Sequence, residues 1–269
     1  MKLVVVMGLS ERKNTEAATG SFKDRLEAHK AKQMQDKKSR MVLGIWGEPK
    51  TGKTGIALDF PDRPIYVLDW DMGVQSTWIE HHDATDRITV YCPIEKTKEN
   101  VTDINLSEKN SHDFIKYVRE KIDEGEKPIF VIDGVDSWFE ACILKVNPNP
   151  TVVTKIMPFQ YGARNKTFEH LMMAIYHLPC DVIFITHESE KYVDNSPVGV
   201  QPKWRDWGGK LEQEIHCYRK KVKGEIHYIA ELVGSRTNGN LVGTQFTTRQ
   251  GTPPNIIWNG IPELQQNRI

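Results

Sequence analysis

The chain has 269 residues, and its 36 lysines and arginines balance its 36 aspartates and glutamates, so the formal net charge is zero. This length is enough for one large domain, and the balanced charge gives no overall field that would attract a nucleic acid or a membrane surface. The four cysteines lie far apart, without a C-x-x-C pair, which argues against zinc sites and a disulfide framework and fits a reducing cytoplasm.

Residues 1–40 are predicted to form an N-terminal arm and a helix. The opening "MKLVVVMGLSERK" is too short to span a membrane and lacks a small-residue cleavage pattern, so we expect neither an anchor nor a signal peptide. A short strand is expected at residues 3–7 and a loop over 8–20. A helix follows over 21–38, with Ser21 as its N-cap and Asp24 at the capping-box position.

From Met41 onward, short apolar runs alternate with helical stretches, which predicts an α/β core with a mainly parallel sheet over residues 41–213. The expected helices lie at residues 54–59, 111–124, 137–146 and 163–177. The expected strands are "MVLGIW", "PIYVLDW", "ITVYC", "PIFVID" and "DVIFIT". Three further runs, "EIHCYRKKV", "EIHYIAELV" and "LVGTQFTT", are separated by turn residues. They predict a C-terminal β-meander over 214–269 that closes the sheet or forms a small lid.

The stretch "GEPKTGKT", residues 47–54, matches the phosphate-binding pattern G-x-x-x-x-G-K-[ST]. Its glycines let backbone N–H groups turn toward phosphate oxygens, and the following helix directs its positive end to the same place. Lys53 can reach the β- and γ-phosphates, and the Thr54 hydroxyl can ligate Mg²⁺. We therefore predict a nucleoside triphosphate site formed by Gly47, Glu48, Pro49, Lys50, Thr51, Gly52, Lys53, Thr54 and Gly55.

Three other strand ends carry polar residues that suit phosphate chemistry. "KPIFVIDGVDSW" ends a strand at Asp133, the Walker B position, where a carboxylate holds the water shell of Mg²⁺. "PIYVLDWDMG" offers Asp69 and Asp71 to orient an attacking water, although aspartate also caps turns. "DVIFITHE" ends in Thr186 and His187, which suit either a sensor of the γ-phosphate or a structural role.

Together these strand ends resemble the RecA-like ATPase core. More narrowly, "GEPKTGKT…VLDWDMG…FVIDGVDSW…FITHE" looks like the phage and prophage RecA-like AAA proteins associated with single-strand annealing and recombination. The resemblance spans roughly residues 41–235. It implies ATP and Mg²⁺ as cofactors, Asp71 as the catalytic acid in place of the usual glutamate, and His187 as the sensor where many recombinases carry glutamine. It also implies a homo-oligomer, ring or filament, in a cytoplasm that is the host's if the protein is viral.

The same resemblance implies a basic residue that completes the site of a neighbouring subunit, and the terminal meander offers Arg219 and Arg236. The stripe "YRKKVKG" around Arg219 suits either a single-stranded DNA backbone or a solvated edge strand. Its candidate DNA contacts are Lys220, Lys221 and Lys223. The two tryptophans of "PKWRDWGG" are expected to pin a loop, in preference to forming an aromatic platform.

The expected function is Mg²⁺-dependent ATP hydrolysis coupled to the handling of single-stranded DNA. A P-loop kinase for a nucleotide or small metabolite is the first alternative, although Arg164 is the single arginine available for a lid between the Walker B strand and the sensor strand. A non-enzymatic nucleotide switch is the second, since no base-reading motif is evident.

Overall fold

The computed structural model describes residues 21–24, 26, 27, 30, 40–60, 62–81, 86–147, 158–204, 207–236, 238–250, 257, 258 and 261. The chain divides into two compact units, residues 1–39 and residues 40–269. In the first unit, Ser21 N donates to Asp24 Oδ2 at 2.9 Å and Asp24 N donates to Ser21 Oγ at 3.3 Å, which confirms the predicted cap. The strand and loop expected at 3–20, and part of the helix expected over 21–38, lie outside the described residues.

The described part of the second unit contains ten strands and five α-helices. The helices are α1 (Lys53–Leu58), α2 (Val74–His81), α3 (Ile104–Asp123), α4 (Val135–Ala141) and α5 (Pro158–Tyr176). The first five strands are β1 (Val42–Gly47), β2 (Ile65–Asp69), β3 (Ile88–Tyr91), β4 (Ile129–Asp133) and β5 (Asp181–Val193). The others are β6 (Ser196–Pro202), β7 (Gln213–Val222), β8 (Glu225–Ser235), β9 (Gln245–Gln250) and β10 (Ile257–Trp258).

The sheet has the order β10-β9-β8-β7-β1-β5-β4-β2-β3, and β6 pairs with β5 outside this path. Every pair from β7 to β3 is parallel, whereas β7 to β10 form an antiparallel meander. This confirms the predicted α/β fold with a mainly parallel sheet. The central strands β1, β2 and β4 are buried at every position, as strands covered by helices on both faces require.

Alternation along the strands divides the core into two layers. In β4, Phe130 and Ile132 pack with Phe114 of α3 and Leu171 of α5, on the face that also holds Trp138 of α4. Ile129 and Val131 lie in the opposite cluster, which contains buried side chains of α1 and α2. Because successive strand residues point to opposite faces, one apolar run supplies both layers. Trp204 and Trp207 are buried in the first layer, in agreement with the expectation that they pin their loop.

Several element bounds differ from those predicted. α3 begins at Ile104, where Asp103 caps it by accepting from Asn105 N and Leu106 N, and not at Ser111, because its first two turns are largely polar. α2 was not predicted. β9 begins at Gln245, since the expected strand start "LVG" forms a short 3-10 helix and a turn.

The largest difference is a β-hairpin after the sensor strand. β5 continues past Thr186 to Val193 and pairs with β6, a strand that was not predicted from the sequence. Asp194 and Asn195 both have positive φ, the conformation of a two-residue primed turn, and the dipeptide Asp-Asn was the signal for it.

β5 and β7 flank β1, and both continue beyond the residue at which β1 ends. Gly47 lies level with His187 of β5 and with Cys217 of β7. Beyond that level, β5 runs on into its hairpin with β6, and β7 into its hairpin with β8. The loop after β1 therefore leaves the sheet between two hairpins. The first strand of the meander, β7, belongs to the same sheet as the core.

Candidate nucleotide-binding site

Glycines shape the loop between β1 and α1. Gly47 has φ of 152°, and a Cβ added there would lie 2.0 Å from the Cys217 carbonyl oxygen of β7, so only glycine fits. Gly52 adopts the left-handed conformation, with φ of 90°, at the N-cap of α1. Thr51 Oγ1 donates to Glu48 O at 2.8 Å and closes the turn. The loop therefore wraps around the positive end of α1, as a phosphate cradle requires.

Lys53 lies across this loop. Its Nζ donates to Gly47 O at 3.1 Å and to Glu48 O at 2.7 Å. Burial lowers the pKa of Lys53, and the nearby Asp133 carboxylate acts in the opposite direction. The ammonium is thus held at the mouth of the cradle by weak acceptors, which phosphate oxygens can replace.

Thr54 and Asp133 meet between α1 and the end of β4. Thr54 Oγ1 donates to Asp133 Oδ2 at 2.6 Å. Burial raises the pKa of Asp133 to about 7, against the hydrogen bond from Thr54 and with support from the charge of Asp71. The donor atoms are oxygens, which suit Mg²⁺, and these two residues would hold it.

The two aspartates after β2 have different surroundings. Asp69 accepts from the backbone N–H groups of Asp71, Gly73 and Val74, at 3.1 to 3.4 Å, and so organises the turn into α2. Asp71 accepts from Ser137 Oγ, and its Oδ2 lies 3.7 Å from His187 Nε2. Of the pair, Asp71 lines the cavity beside the loop.

His187 is held by Asp136, a residue for which no role was predicted from the sequence. His187 Nδ1 lies 3.1 Å from Asp136 Oδ2, and its backbone N–H donates to Asp136 Oδ1 at 3.2 Å. Thr186 Oγ1 donates to the same oxygen at 3.1 Å, and Lys203 Nζ lies 3.5 Å from Oδ2. Asp136 stands in the quoted motif "FVIDGVDSW", but its partners come from β5, 50 residues further along the chain.

The contact between Asp136 and His187 shifts the pKa values of both side chains. Burial alone would raise the pKa of Asp136, but the hydrogen bonds from His187 and Thr186 outweigh it and hold that pKa below its ordinary value. The hydrogen bond with Asp136 raises the pKa of His187, although burial opposes this. Asp136 therefore makes His187 easier to protonate, and His187 Nε2 lies 3.7 Å from Asp71 Oδ2.

A cavity of about 470 Å³ lies beside the phosphate loop. It is lined by Pro49, Lys50, Thr51, Gly52, Lys53, Thr54, Gly55, Asp71, Gly73, Ser76, Thr77, Asp133, His187, Tyr228 and Arg249. Tyr228 of β8 and Arg249 of β9 were not predicted from the sequence. They are cross-strand neighbours, and the Arg249 guanidinium lies 4.7 Å from the centre of the Tyr228 ring.

The basic residues singled out in the meander lie outside this cavity lining. Arg219 Nη2 lies 3.4 Å from Glu48 Oε2 of the phosphate loop, whereas Arg236 donates to Gly209 O. Lys220, Lys221 and Lys223 are exposed along the β7–β8 hairpin, and Lys223 and Gly224 form its turn.

The fold and the cavity define a P-loop nucleotide-binding protein with an α/β core and a mainly parallel central sheet. A family model described as an AAA domain matches residues 37–250, and the chain belongs to this family. No curated protein matches the sequence. Among the described residues, no helix has the length and apolar composition needed to cross a membrane.

Two solved structures are similar at low identity. One is a KaiC-like protein from the hyperthermophilic archaeon Pyrococcus horikoshii OT3, with a TM-score of 0.46 and 10% identity, covering 81% of this chain and 89% of that one. The other is the RadB recombinase, with a TM-score of 0.44 and 14% identity, covering 80% of this chain and 89% of that one.

We predict that Asp136→Asn lowers the pKa of His187, because the carboxylate that favours the imidazolium is lost. In the wild type, the raised pKa of His187 adds to the free energy of unfolding. This contribution is complete below pH 6.5, the ordinary pKa of histidine, and is lost as the pH rises through the pKa of His187 in the folded state. The variant should not show this decrease. NMR titration of the His187 ring and unfolding at several pH values measure both effects, with the exposed Asp113→Asn as control. An unchanged His187 titration in the Asp136 variant would contradict the assigned pair.

Proposed function

We propose that the protein is a Mg²⁺-dependent ATPase that assembles as a homo-oligomer and acts on single-stranded DNA, in annealing or recombination. The observation that carries the proposal is the convergence of five side chains on one cavity at the carboxyl edge of the sheet: Lys53, Thr54, Asp71, Asp133 and His187. Membership of the AAA domain family supports the ATPase part.

The geometry supports the following division of work. Backbone N–H groups of the loop bind the phosphates, and Lys53 moves from its carbonyl acceptors to the β- and γ-phosphates. Thr54 and Asp133 would hold Mg²⁺, and the ion would neutralise phosphate charge. Asp71, oriented by Ser137, accepts a proton from the attacking water. His187, oriented by Asp136, stabilises negative charge on the γ-phosphate.

The surroundings of Arg164 favour hydrolysis over transfer to a second substrate. A kinase lid would present this residue to the phosphates. Instead, its guanidinium lies 4.3 Å from the centre of the Phe139 ring and 4.9 Å from that of Tyr161, within α5 and its neighbour α4. It does not line the nucleotide cavity.

The β7–β8 hairpin connects the nucleotide to a surface that suits DNA. At its base, Arg219 pairs with Glu48 of the phosphate loop and Tyr228 lines the cavity. Towards its tip, exposed lysines follow one another along β7, where a phosphate backbone can be bound through charge alone. A nucleotide that moves Glu48 or Tyr228 would therefore move the lysines.

The proposed oligomer completes each site with an arginine from a neighbour, and Arg219 and Arg236 remain the candidates. Both are tied to weak local partners, an exposed carboxylate and a backbone carbonyl, which an incoming phosphate can displace.

We predict different failures for the carboxylates of the site. Asp71→Asn should still bind ATP and Mg²⁺ but hydrolyse ATP about 10²- to 10⁴-fold more slowly, because it removes the proton acceptor. Asp133→Asn should raise the Mg²⁺ requirement, and Lys53→Ala should abolish hydrolysis. Asp69→Asn is the matched control and should lower stability by about 1 kcal/mol while keeping most activity. The measurements are the rate of phosphate release and the affinity for ATP. If Asp69→Asn bound ATP without hydrolysing it while Asp71→Asn stayed active, the catalytic role would belong to Asp69 and not to Asp71.

A mixing experiment tests the arginine in trans. Arg219→Ala or Arg236→Ala should bind ATP but not hydrolyse it, and adding Lys53→Ala subunits should restore activity, since these carry the intact arginine. Native mass spectrometry gives the number of subunits. A monomeric mass, with mixtures inactive for both arginines, would remove the oligomeric part of the proposal and leave the hydrolytic site untouched.

The DNA part is tested on two exposed lysines. Lys220→Gln combined with Lys221→Gln should weaken binding of a labelled single strand at every sequence, and should reduce the log–log salt slope by about one unit for each phosphate that the variant no longer neutralises. Lys109→Gln combined with Lys116→Gln, on α3, controls for the change in net charge, and anisotropy at several salt concentrations is the measurement. If the Lys220/Lys221 variant bound the single strand with wild-type affinity and salt dependence, the lysines of this hairpin would not contact DNA.

A further inference from the structure

Three potential metal ligands from two helices meet on the surface that α3 and α5 form over the sheet. Glu108 and His112 stand four residues apart on α3, so they share one face of that helix, and His170 reaches them from α5. One ligand atom from each of the three lies within 4.8 Å of the other two. The rings of His112 and His170 have centroids 4.7 Å apart.

The carboxylate of this cluster has one oxygen engaged and one available. Lys145 Nζ lies 2.6 Å from Glu108 Oε2 and also donates to Asn105 Oδ1 at 2.5 Å, so the lysine fixes the orientation of the carboxylate. The other oxygen, Oε1, faces His170 Nδ1 at 3.9 Å, which is too long for a hydrogen bond. Such a gap between two ligand atoms is what a metal ion would fill.

His112 provides the second, independent observation. Its Nε2 is buried and has no hydrogen-bond partner among the residues that the structure describes. A buried ring nitrogen without a partner is costly, and native proteins rarely leave one so unless something binds there.

We propose that Glu108, His112 and His170 bind a divalent transition metal of the zinc type, with a water as the fourth ligand. The cysteine spacing argued against a zinc site, but this cluster uses no cysteine. Zinc ligands with bonds of about 2.0–2.1 Å lie about 3.3 Å apart in a tetrahedral site, so ligand atoms that lie within 4.8 Å of one another need to approach by up to about 1.5 Å. None of the three lines the nucleotide cavity, so the site is separate from the proposed Mg²⁺ site.

The bound metal would brace α5 against α3. The two helices cover the same face of the sheet, and α5 leads into β5, the strand that ends its buried part at Thr186 and carries His187. The metal would thus fix a helix whose following strand carries a residue of the nucleotide site. The proposal depends on neither ATP hydrolysis nor DNA binding.

The test uses the full chain, stripped with a chelator and then titrated with ZnCl₂ in a calorimeter without nucleotide. The wild type should bind one more Zn²⁺ than His170→Ala, or bind it at least about 100-fold more tightly. Zn²⁺ should also raise the melting temperature of the wild type and not that of the variant. The His170 side chain is 72% exposed, so its truncation leaves the fold intact. His112→Ala should lose the same Zn²⁺ site, and if that variant does not fold, His170→Ala alone tests the proposal.

His177→Ala, an exposed histidine just after α5, is the matched control and should bind Zn²⁺ as the wild type does. Any Zn²⁺ taken up by the phosphate loop is common to all variants and cancels in the comparison. Equal stoichiometry, affinity and melting response in the wild type and His170→Ala would overturn the proposal. A decrease in Zn²⁺ binding that is equal in His177→Ala and His170→Ala would overturn it as well.

Discussion

The parallel hydrogen bonding of β5 between β1 and β4 positions the whole nucleotide site. Its register places His187 level with Gly47, while Asp133 lies level with Ile185 on one side and with Asp69 of β2 on the other. Because parallel strands end at the same edge, the P-loop, the Walker B carboxylate, Asp71 and the histidine meet there without any long connection. A different strand order would keep every motif and separate the residues.

Asp133 and Asp136 are both buried, yet their pKa values shift in opposite directions because their hydrogen-bond partners differ. Asp133 has a hydroxyl as its hydrogen-bond donor, and burial raises its pKa to about 7. Asp136 is equally removed from solvent, but His187 and Thr186 hold its pKa low. The two carboxylates thus differ in their hydrogen-bond donors, a threonine hydroxyl at Asp133 and the Thr186 and His187 groups at Asp136. Two aspartates at the junction of β4 and α4 therefore have opposite pKa shifts because their partners differ.

The hairpins β5–β6 and β7–β8 are joined to each other beside the end of β1. His216 of β7 stacks on Trp46 at 3.9 Å, and its Nε2 lies 2.9 Å from Glu188 Oε2 of β5, so the bases of both hairpins are joined over β1. The β7–β8 hairpin then supplies Tyr228 to the cavity and Arg219 to the phosphate loop. This hairpin therefore joins the cavity to the surface proposed for DNA.

The sequence alone determined the features whose physics is local. The glycine spacing specifies the phosphate loop, the apolar runs specify a parallel sheet, and Ser21 with Asp24 specifies a cap. The tertiary structure decided which of Asp69 and Asp71 faces the cavity, because one backbone turn consumes the first carboxylate. It also decided which residues contact Asp136, that Tyr228 and Arg249 line the nucleotide cavity, and that Glu108 of α3 lies close to His170 of α5. Those contacts join residues far apart in the chain, and only strand order and helix packing bring such residues together.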